Sequence, residues 1–474
     1  RIETNRQAFI SVVESANRAV FYWPGGIPGE SREFGPARWF LDAVREVSGE
    51  DLLQAGRLIE GDVNGLTVKK RFSGSETTAA HAGDLHEYDV VSVRDWVSNE
   101  GEETSFPLVS LTPEIKDSLT LEQQRESSEW TEFDGKVALH DNDSGSEDFA
   151  VGSATAFETY AACPYRYFLS RRLNIEPTDS PEPEVALDAL TFGTLIHDVL
   201  EKFSLWRMDQ GYDAPSHSDQ ESWLRSSVER NIEQLKDETP GRSAGAWRIE
   251  LSRAWLILRQ WLRRERGVAD HPNMRQVEAE YSFGSIGSSR RGSGPAVEVV
   301  TESGRSVRFR GQVDRVDISE DGSRVIVYDY KSGGNSAYSK LESDPVKRGT
   351  KLQLPLYSKA VGHKYPDAEI FASYWFVREN LSELKPYPLE YQNEKAESAL
   401  GEVVGTIFSG IKNGVFPARP GNPAGWGESS ESFENCMFCE YARVCPKSKS
   451  RLWHNKKGSD ESLADYVDLA EGDR

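Results

Sequence analysis

A chain of 474 residues, 37 % hydrophobic and 28 % charged, is too long for one ordinary core and points to about two to three domains. Four cysteines are far from the density of a disulfide scaffold, no apolar run approaches the ~20 residues that span a bilayer, and residues 1–20 lack the apolar stretch of a signal peptide. A soluble, cytoplasmic protein with no membrane partner is expected, and Arg1 in place of Met suggests a piece of a longer polypeptide.

The net charge of −21 weighs against a nucleic-acid partner only as a whole-chain sum. Acidic residues gather at 117–132, 140–148 and 460–473. Basic ones gather as Arg166, Arg171 and Arg172; Arg259, Arg263, Arg264 and Arg266; Arg290 and Arg291; and Lys347, Arg348 and Lys351. Each basic group is either a solvated face or a phosphate contact.

In chain order, residues 6–18 predict an amphipathic helix, 19–23 a short apolar strand and 24–29 a breaker run. Residues 50–148 read as a polar connector with little core of its own and one helix at 88–97. From Ser153 the pattern firms: Ser153 or Thr155 caps a helix carrying Cys163, with Glu158 as capping-box partner of Thr155. A second helix covers 187–208, with Leu195, Ile196, Val199, Leu200 and Phe203 as its apolar stripe. Residues 218–266 predict further helices broken at Pro240-Gly241, with Trp247, Trp255, Leu256, Leu258 and Trp261 in the core. A strand at 277–283 and a Gly/Ser/Arg loop at 284–294 follow. The strongest β signal is a hairpin: 307–318 alternates, 320–323 turns, 325–331 alternates again. Residues 352–361 then predict a helix, 370–377 a strand and 394–411 a helix.

The hairpin register brings Asp314 close to Asp329, and period-2 geometry puts Asp329 and Lys331 on one face. Two carboxylates beside an ammonium make a hard-oxygen metal site with a cation over it, as phosphodiester hydrolysis requires. The bland alternative is a surface salt bridge. His197, offset from its helix's apolar stripe with Glu201 one turn later, is a candidate ligand or a structural histidine. Gln353 and Tyr357 share a helical face at i and i+4.

The cysteines form one pattern: Cys163 before Pro164, then Cys436, Cys439 and Cys445 as C-x2-C-x5-C. Four thiolates suit an iron–sulfur cluster or a structural zinc; a disulfide between Cys436 and Cys439 would close a very tight loop.

The ordered set Cys163-Pro164, Gly193-x3-His197, Gly311 to Asp317, Asp329-Tyr330-Lys331-Ser332-Gly333, Gln353-x3-Tyr357 and the cysteine cluster resembles the RecB-like nuclease domain of the PD-(D/E)XK superfamily, in the iron–sulfur-clasped form of AddAB-type bacterial helicase-nucleases. The resemblance implies an α/β restriction-endonuclease-like core, a small central mixed sheet flanked by helices, over 149–450. It implies that His197, Asp314, Asp329 and the Tyr330 carbonyl bind Mg²⁺ or Mn²⁺, that Lys331 acts on the attacking water, and that Gln353 and Tyr357 support the lysine and the DNA phosphate. Cys163, Cys436, Cys439 and Cys445 would hold a structural [4Fe–4S] cluster.

Residues 1–49 resemble, more weakly, the end of a superfamily 1 helicase core. Ser15 and Asn17 stand where that motif carries arginines, and no G-x4-G-K-[ST] loop occurs, so an ATPase is expected upstream or in a partner. Residues 451–474 read as an acidic tail. The expected role is nuclease action on single-stranded ends or unwound strands of DNA delivered by a helicase partner subunit during double-strand-break repair. The rivals are a stand-alone or CRISPR-associated exonuclease and a non-catalytic single-strand binder.

Overall fold

The computed structural model describes residues 7–11, 14–15, 38–49, 85–98, 113–138, 151–176, 186–211, 215–238, 241–265, 274–284, 293–338, 341, 343–378, 389–390, 394–424, 432–441, 444–446 and 448–472. The strand expected at 19–23, the breaker run at 24–29, the acidic stretch 140–148 and Arg266, Arg290 and Arg291 lie outside them. So does most of the loop expected at 284–294, and only 7–11 and 14–15 of the first predicted helix lie within them. The chain divides into two compact units, Arg1–Lys136 with Pro417–Glu461, and Val137–Phe416 with Ser462–Arg474.

Among its described residues the first unit has helices and an isolated β-bridge between Pro423 and Phe433. Helices Arg38–Ser48, Leu85–Ser98 and Pro113–Glu126 precede a tight turn at Glu132–Asp134, and Lys449–Lys456 belongs with them. Within the stretch expected as a polar connector with one helix, Val91 and Trp130 are buried. The Lys456 ammonium is buried and bonds both the Asp134 carboxylate at 2.7 Å and the Gln124 carbonyl at 2.8 Å. A buried ammonium is tolerable because both partners are present.

The second unit is built on an eight-stranded sheet. Its strands are β1 (Val151–Ser153), β2 (Met274–Phe283), β3 (Ser293–Gly294), β4 (Val297–Val300), β5 (Ser306–Ser319), β6 (Arg324–Lys331), β7 (Glu369–Phe376) and β8 (Leu389–Glu390), and its main order is β3-β2-β5-β6-β7-β8. The sheet is mixed: β5 pairs antiparallel with β2 and β6, β6 runs parallel to β7, and the first half of β5 carries β1 and β4. Parallel β6 and β7 need a crossover, and the helix α5 (Gln353–Lys364) supplies it. The expected β5–β6 hairpin forms with Arg315 opposite Tyr328.

Helices α2 (Ala189–Gln210), α3 (His217–Glu238) and α4 (Ala244–Glu265) form one core with Ile326, Tyr328, Tyr330, Trp375 and Val377 of the sheet. The stripe Leu195, Ile196, Val199, Leu200 and Phe203 is fully buried there, at about 1.5–3 kcal/mol for each large apolar side chain. Trp247, Leu258 and Trp261 join it, but Trp255 only packs against its edge. Leu256 is 57 % exposed, one position round the helix from the apolar face, which corrects its assignment to the core.

The segment Gly311 to Asp317 owes three residues to architecture. Arg315 donates to both Asp317 oxygens at 2.6 and 2.7 Å and to Glu265 at 3.1 Å, while Arg207 donates to Glu265 at 2.7 and 2.8 Å, so α2 and α4 are pinned to β5 by a buried ion network. Gly311 has no room for a side chain, since a Cβ there would lie 2.7 Å from the Phe283 ring.

Helix α1 (Ala154–Ala162) is capped by Ser153, whose hydroxyl accepts the Ala156 N–H at 3.3 Å. Glu158 makes no capping box with Thr155; its carboxylate reaches across to the start of α5 instead. In the stretch read as an acidic tail, α7 (Ala464–Glu471), following α6 (Glu394–Lys412), buries Tyr466, Leu469 and Ala470. The Tyr466 hydroxyl donates to Ala161 O at 3.2 Å. Arg348 caps the C-terminal end of α7 through Ala470 O at 2.9 Å and Gly472 O at 2.6 Å, a cation at the negative end of the helix dipole. That guanidinium is structural, not a free phosphate contact.

Candidate active site

Helix α2 begins where Asp188 accepts the N–H groups of Leu190 and Thr191, both at 2.9 Å. Gly193 follows in its first turn, and a Cβ there would lie 3.2 Å from Ser332 Oγ, so the glycine lets α2 approach the end of β6. One turn on, His197 points at that end: Nε2 lies 3.1 Å from the Tyr330 carbonyl and Nδ1 3.5 Å from Asp314 Oδ2. Burial lowers the histidine's proton affinity, but the Asp314 carboxylate more than offsets this and the net shift is upward.

Asp314 sits on β5 and accepts the Tyr330 N–H at 2.6 Å, which locks the carboxylate to β6. Asp329 is 2 % exposed at the end of an apolar strand. Burial raises its pKa, opposed by the Lys331 ammonium, with which it is ion-paired. Burial works against the lysine's charge too, yet Asp329 holds its pKa above the ordinary value. Lys331 Nζ also donates to Gln353 Oε1 at 2.8 Å, and Gln353 Nε2 donates to the Tyr357 hydroxyl at 3.4 Å. An exposed salt bridge is excluded by this burial, and His197, Asp314, Asp329, Tyr330, Lys331, Gln353 and Tyr357 meet at one end of the sheet.

Two residues carry no signal in the motifs. Glu280 on β2 falls opposite Asp314, between the pairs Ala279 with Arg315 and Tyr281 with Val313. Its φ is +51°, a sparsely populated conformation for a side-chain-bearing residue, and β2 is irregular between Gln276 and Glu278. Ligand atoms of His197, Glu280 and Asp314 lie within 4.8 Å of one another. Burial and the charges of Asp314 and Glu201 push the Glu280 carboxyl up to about 8. One nitrogen and carboxylate oxygens converging this closely, at the cost of holding a carboxyl protonated, fit a divalent cation. The only trace of Glu280 in the sequence is its register against Asp314, which the irregularity in β2 hides.

The second is Glu158. Its Oε1 accepts the N–H groups of Leu352 at 2.6 Å and Gln353 at 3.2 Å, at the start of α5. Burial raises its pKa, and the Lys351 ammonium counters.

Cys163 ends α1 in this unit, and Cys436, Cys439 and Cys445 lie in the other. None of the four forms a disulfide; Cys436 is buried and the others are partly so. Among the described residues no helix is long and apolar enough to cross a membrane.

Residues 152–446 match the PD-(D/E)XK nuclease superfamily. Among curated proteins, the chain is similar to an ATP-dependent helicase/deoxyribonuclease subunit of Moorella thermoacetica, 29 % identical over 221 residues, covering 45 % of this chain and 18 % of that protein. The corresponding subunit of Acetivibrio thermocellus is 26 % identical over 215 residues, covering 45 % and 18 %. That of Oenococcus oeni is 24 % identical over 274 residues, covering 55 % and 23 %. This chain thus spans only a small part of the length of these relatives. With the family match covering most of the chain, and a sheet end that gathers two aspartates, a lysine and a histidine, the chain belongs to the PD-(D/E)XK nuclease superfamily.

Proposed function

We propose that this chain is the nuclease-bearing part of a bacterial helicase–nuclease subunit, cutting single-stranded ends or unwound DNA strands in the cytoplasm during double-strand-break processing and recombinational repair. The observation that carries this reading is the convergence of His197, Glu280 and Asp314 beside a lysine held by Asp329 and Gln353. His197, Asp314, Asp329 and the Tyr330 carbonyl would hold Mg²⁺ or Mn²⁺, with Glu280 adjoining. Bound there, the ion supplies charge neutralisation of the scissile phosphate and a more acidic water.

The protein's own groups do the rest. Lys331, kept charged by Asp329 and aimed by Gln353, orients the attacking water and offsets the charge that builds on the phosphate as the P–O bond to the leaving strand breaks. Gln353 fixes the lysine, and Tyr357 fixes Gln353. The relatives' names support a helicase partner, since they describe parts of an ATP-dependent helicase/deoxyribonuclease. Cys163, Cys436, Cys439 and Cys445 would hold a [4Fe–4S] cluster, an all-thiolate donor set that uses every cysteine of the chain, none of them in a disulfide.

The His197→Ala variant tests the ligand assignment. Loss of the imidazole weakens metal affinity but leaves carboxylates to hold some ion. Cleavage should fall at low Mg²⁺ and recover in part as Mg²⁺ is raised. Normal cleavage at limiting Mg²⁺ by a stable variant would refute the ligand role.

A further inference from the structure

We propose that Arg253 and Arg378 clamp one phosphate of the bound DNA strand next to the scissile one, an inference that rests on the nuclease reading of the neighbouring site. Arg378 lies two residues past the end of β7, and its Nη1 donates to the Ser332 carbonyl at 3.3 Å. Ser332 directly follows Lys331, so this guanidinium is tethered one residue beyond the lysine of the active site. The Ser332 that it holds is two residues on from Tyr330, at most ~7 Å of extended chain.

Arg253 arrives from α4. Its guanidinium carbon stacks 3.7 Å from the centroid of the Phe192 ring, and that of Arg378 lies 5.9 Å from the same centroid. Phe192 is buried in the first turn of α2, between the helix cap and Gly193. Two cations from distant parts of the chain therefore meet at one aromatic ring at the edge of the clustered site.

One carboxylate answers the two charges. Arg253 Nη1 meets the buried Glu250 carboxylate at 3.3 Å, and the other oxygen of Glu250 accepts the Leu187 N–H at 3.1 Å. Arg378 has no carboxylate partner among the described residues and is exposed. Its proton affinity is lowered, first by burial and then by Arg253. Stacking on Phe192 accounts for Arg253 but gives no reason for a second guanidinium beside it. A phosphodiester does: its two non-bridging oxygens can each accept from one guanidinium, and its charge relieves the repulsion. The need is acute here, because the chain carries −21 overall and the adjoining site is acidic, so an incoming backbone must be held by local cations.

The test is the salt dependence of binding of a fluorescein-labelled single-stranded oligonucleotide by the full chain, without divalent metal so that no cleavage intervenes. For Arg378→Ala, affinity at low salt should fall about tenfold and the slope of log K against log salt should shrink by about 0.7, one phosphate contact on a single strand. Arg378→Lys should restore the slope. Arg253→Gln, which keeps the stem over Phe192 and a donor for Glu250, should show the same loss, and the double variant no further change in slope, because one phosphate is shared. Arg324→Ala, at the opposite end of β6, should leave the slope unchanged. An unchanged slope in Arg378→Ala, an equal loss in Arg324→Ala, or additive slopes in the double variant would overturn the clamp. Wild-type protein that neither binds nor cleaves the oligonucleotide would instead overturn the nuclease reading beneath it.

Discussion

Glu158 accepts the Leu352 backbone N–H at 2.6 Å, and through this bond the helix that ends at Cys163 holds the helix that carries Gln353. The same oxygen takes the Gln353 N–H, and the side chain of Gln353 receives Lys331. A glutamate distant in sequence thus does the work of an N-cap for α5, where Leu352 offers no side-chain acceptor.

Glu158→Ala should therefore release the start of α5, lower stability by about 1–2 kcal/mol and reduce cleavage by disordering Gln353 and Lys331. Glu158→Gln keeps an acceptor oxygen and should retain most of the activity. Denaturant melts and cleavage rates of the two variants check this; equal losses in both would show that charge, not the acceptor, matters.

The titration of the cluster sets a second expectation. With the Glu280 carboxyl at about 8 and His197 raised, the metal-free protein binds protons at neutral pH that an ion must displace. Apparent Mg²⁺ affinity should rise between pH 6 and 8, with proton release visible in calorimetry as a dependence on buffer ionisation heat. The sign for folding follows from the raised pKa of the glutamate: stability is full below about 4.5, the ordinary value, and is lost as pH rises through about 8. Glu280→Gln should remove that loss in metal-free protein, roughly 2–4 kcal/mol at pH 8, and abolish most of the proton release. A flat pH dependence of Mg²⁺ binding contradicts the account.

The proposed cluster makes a third. Protein purified without oxygen should be brown and contain iron, and Cys163→Ala or Cys439→Ala should make the nuclease region protease-sensitive as a whole. A colourless preparation with about one zinc per chain and no iron would replace the cluster by a zinc site.

Much of this was legible in the residues, for local reasons. The β5–β6 hairpin announces itself by alternation around a turn, and its register alone brings Asp314 to Asp329. The stripe on α2 marks its buried face and leaves His197 off it. What was missed depends on long-range pairing. Glu280 meets Asp314 only through the β2–β5 ladder, whose register slips between Gln276 and Glu278. Glu158 sits where a capping box with Thr155 is the natural local reading, and only the packing of α1 near α5 redirects it. Arg253 and Arg378 belong to no motif. Phe192 unites them, and a sequence carries no trace of two cations sharing a ring.

The most direct measurement is the cleavage of single-stranded DNA by the purified chain with Mg²⁺, compared among wild type, Asp314→Ala, Asp329→Ala and Lys331→Ala. The account predicts metal-dependent cleavage by the wild type and a fall of at least about 10²-fold in each variant, with near-native circular dichroism and with oligonucleotide binding retained in Lys331→Ala. Cleavage at the wild-type rate by Asp314→Ala or Asp329→Ala would contradict it.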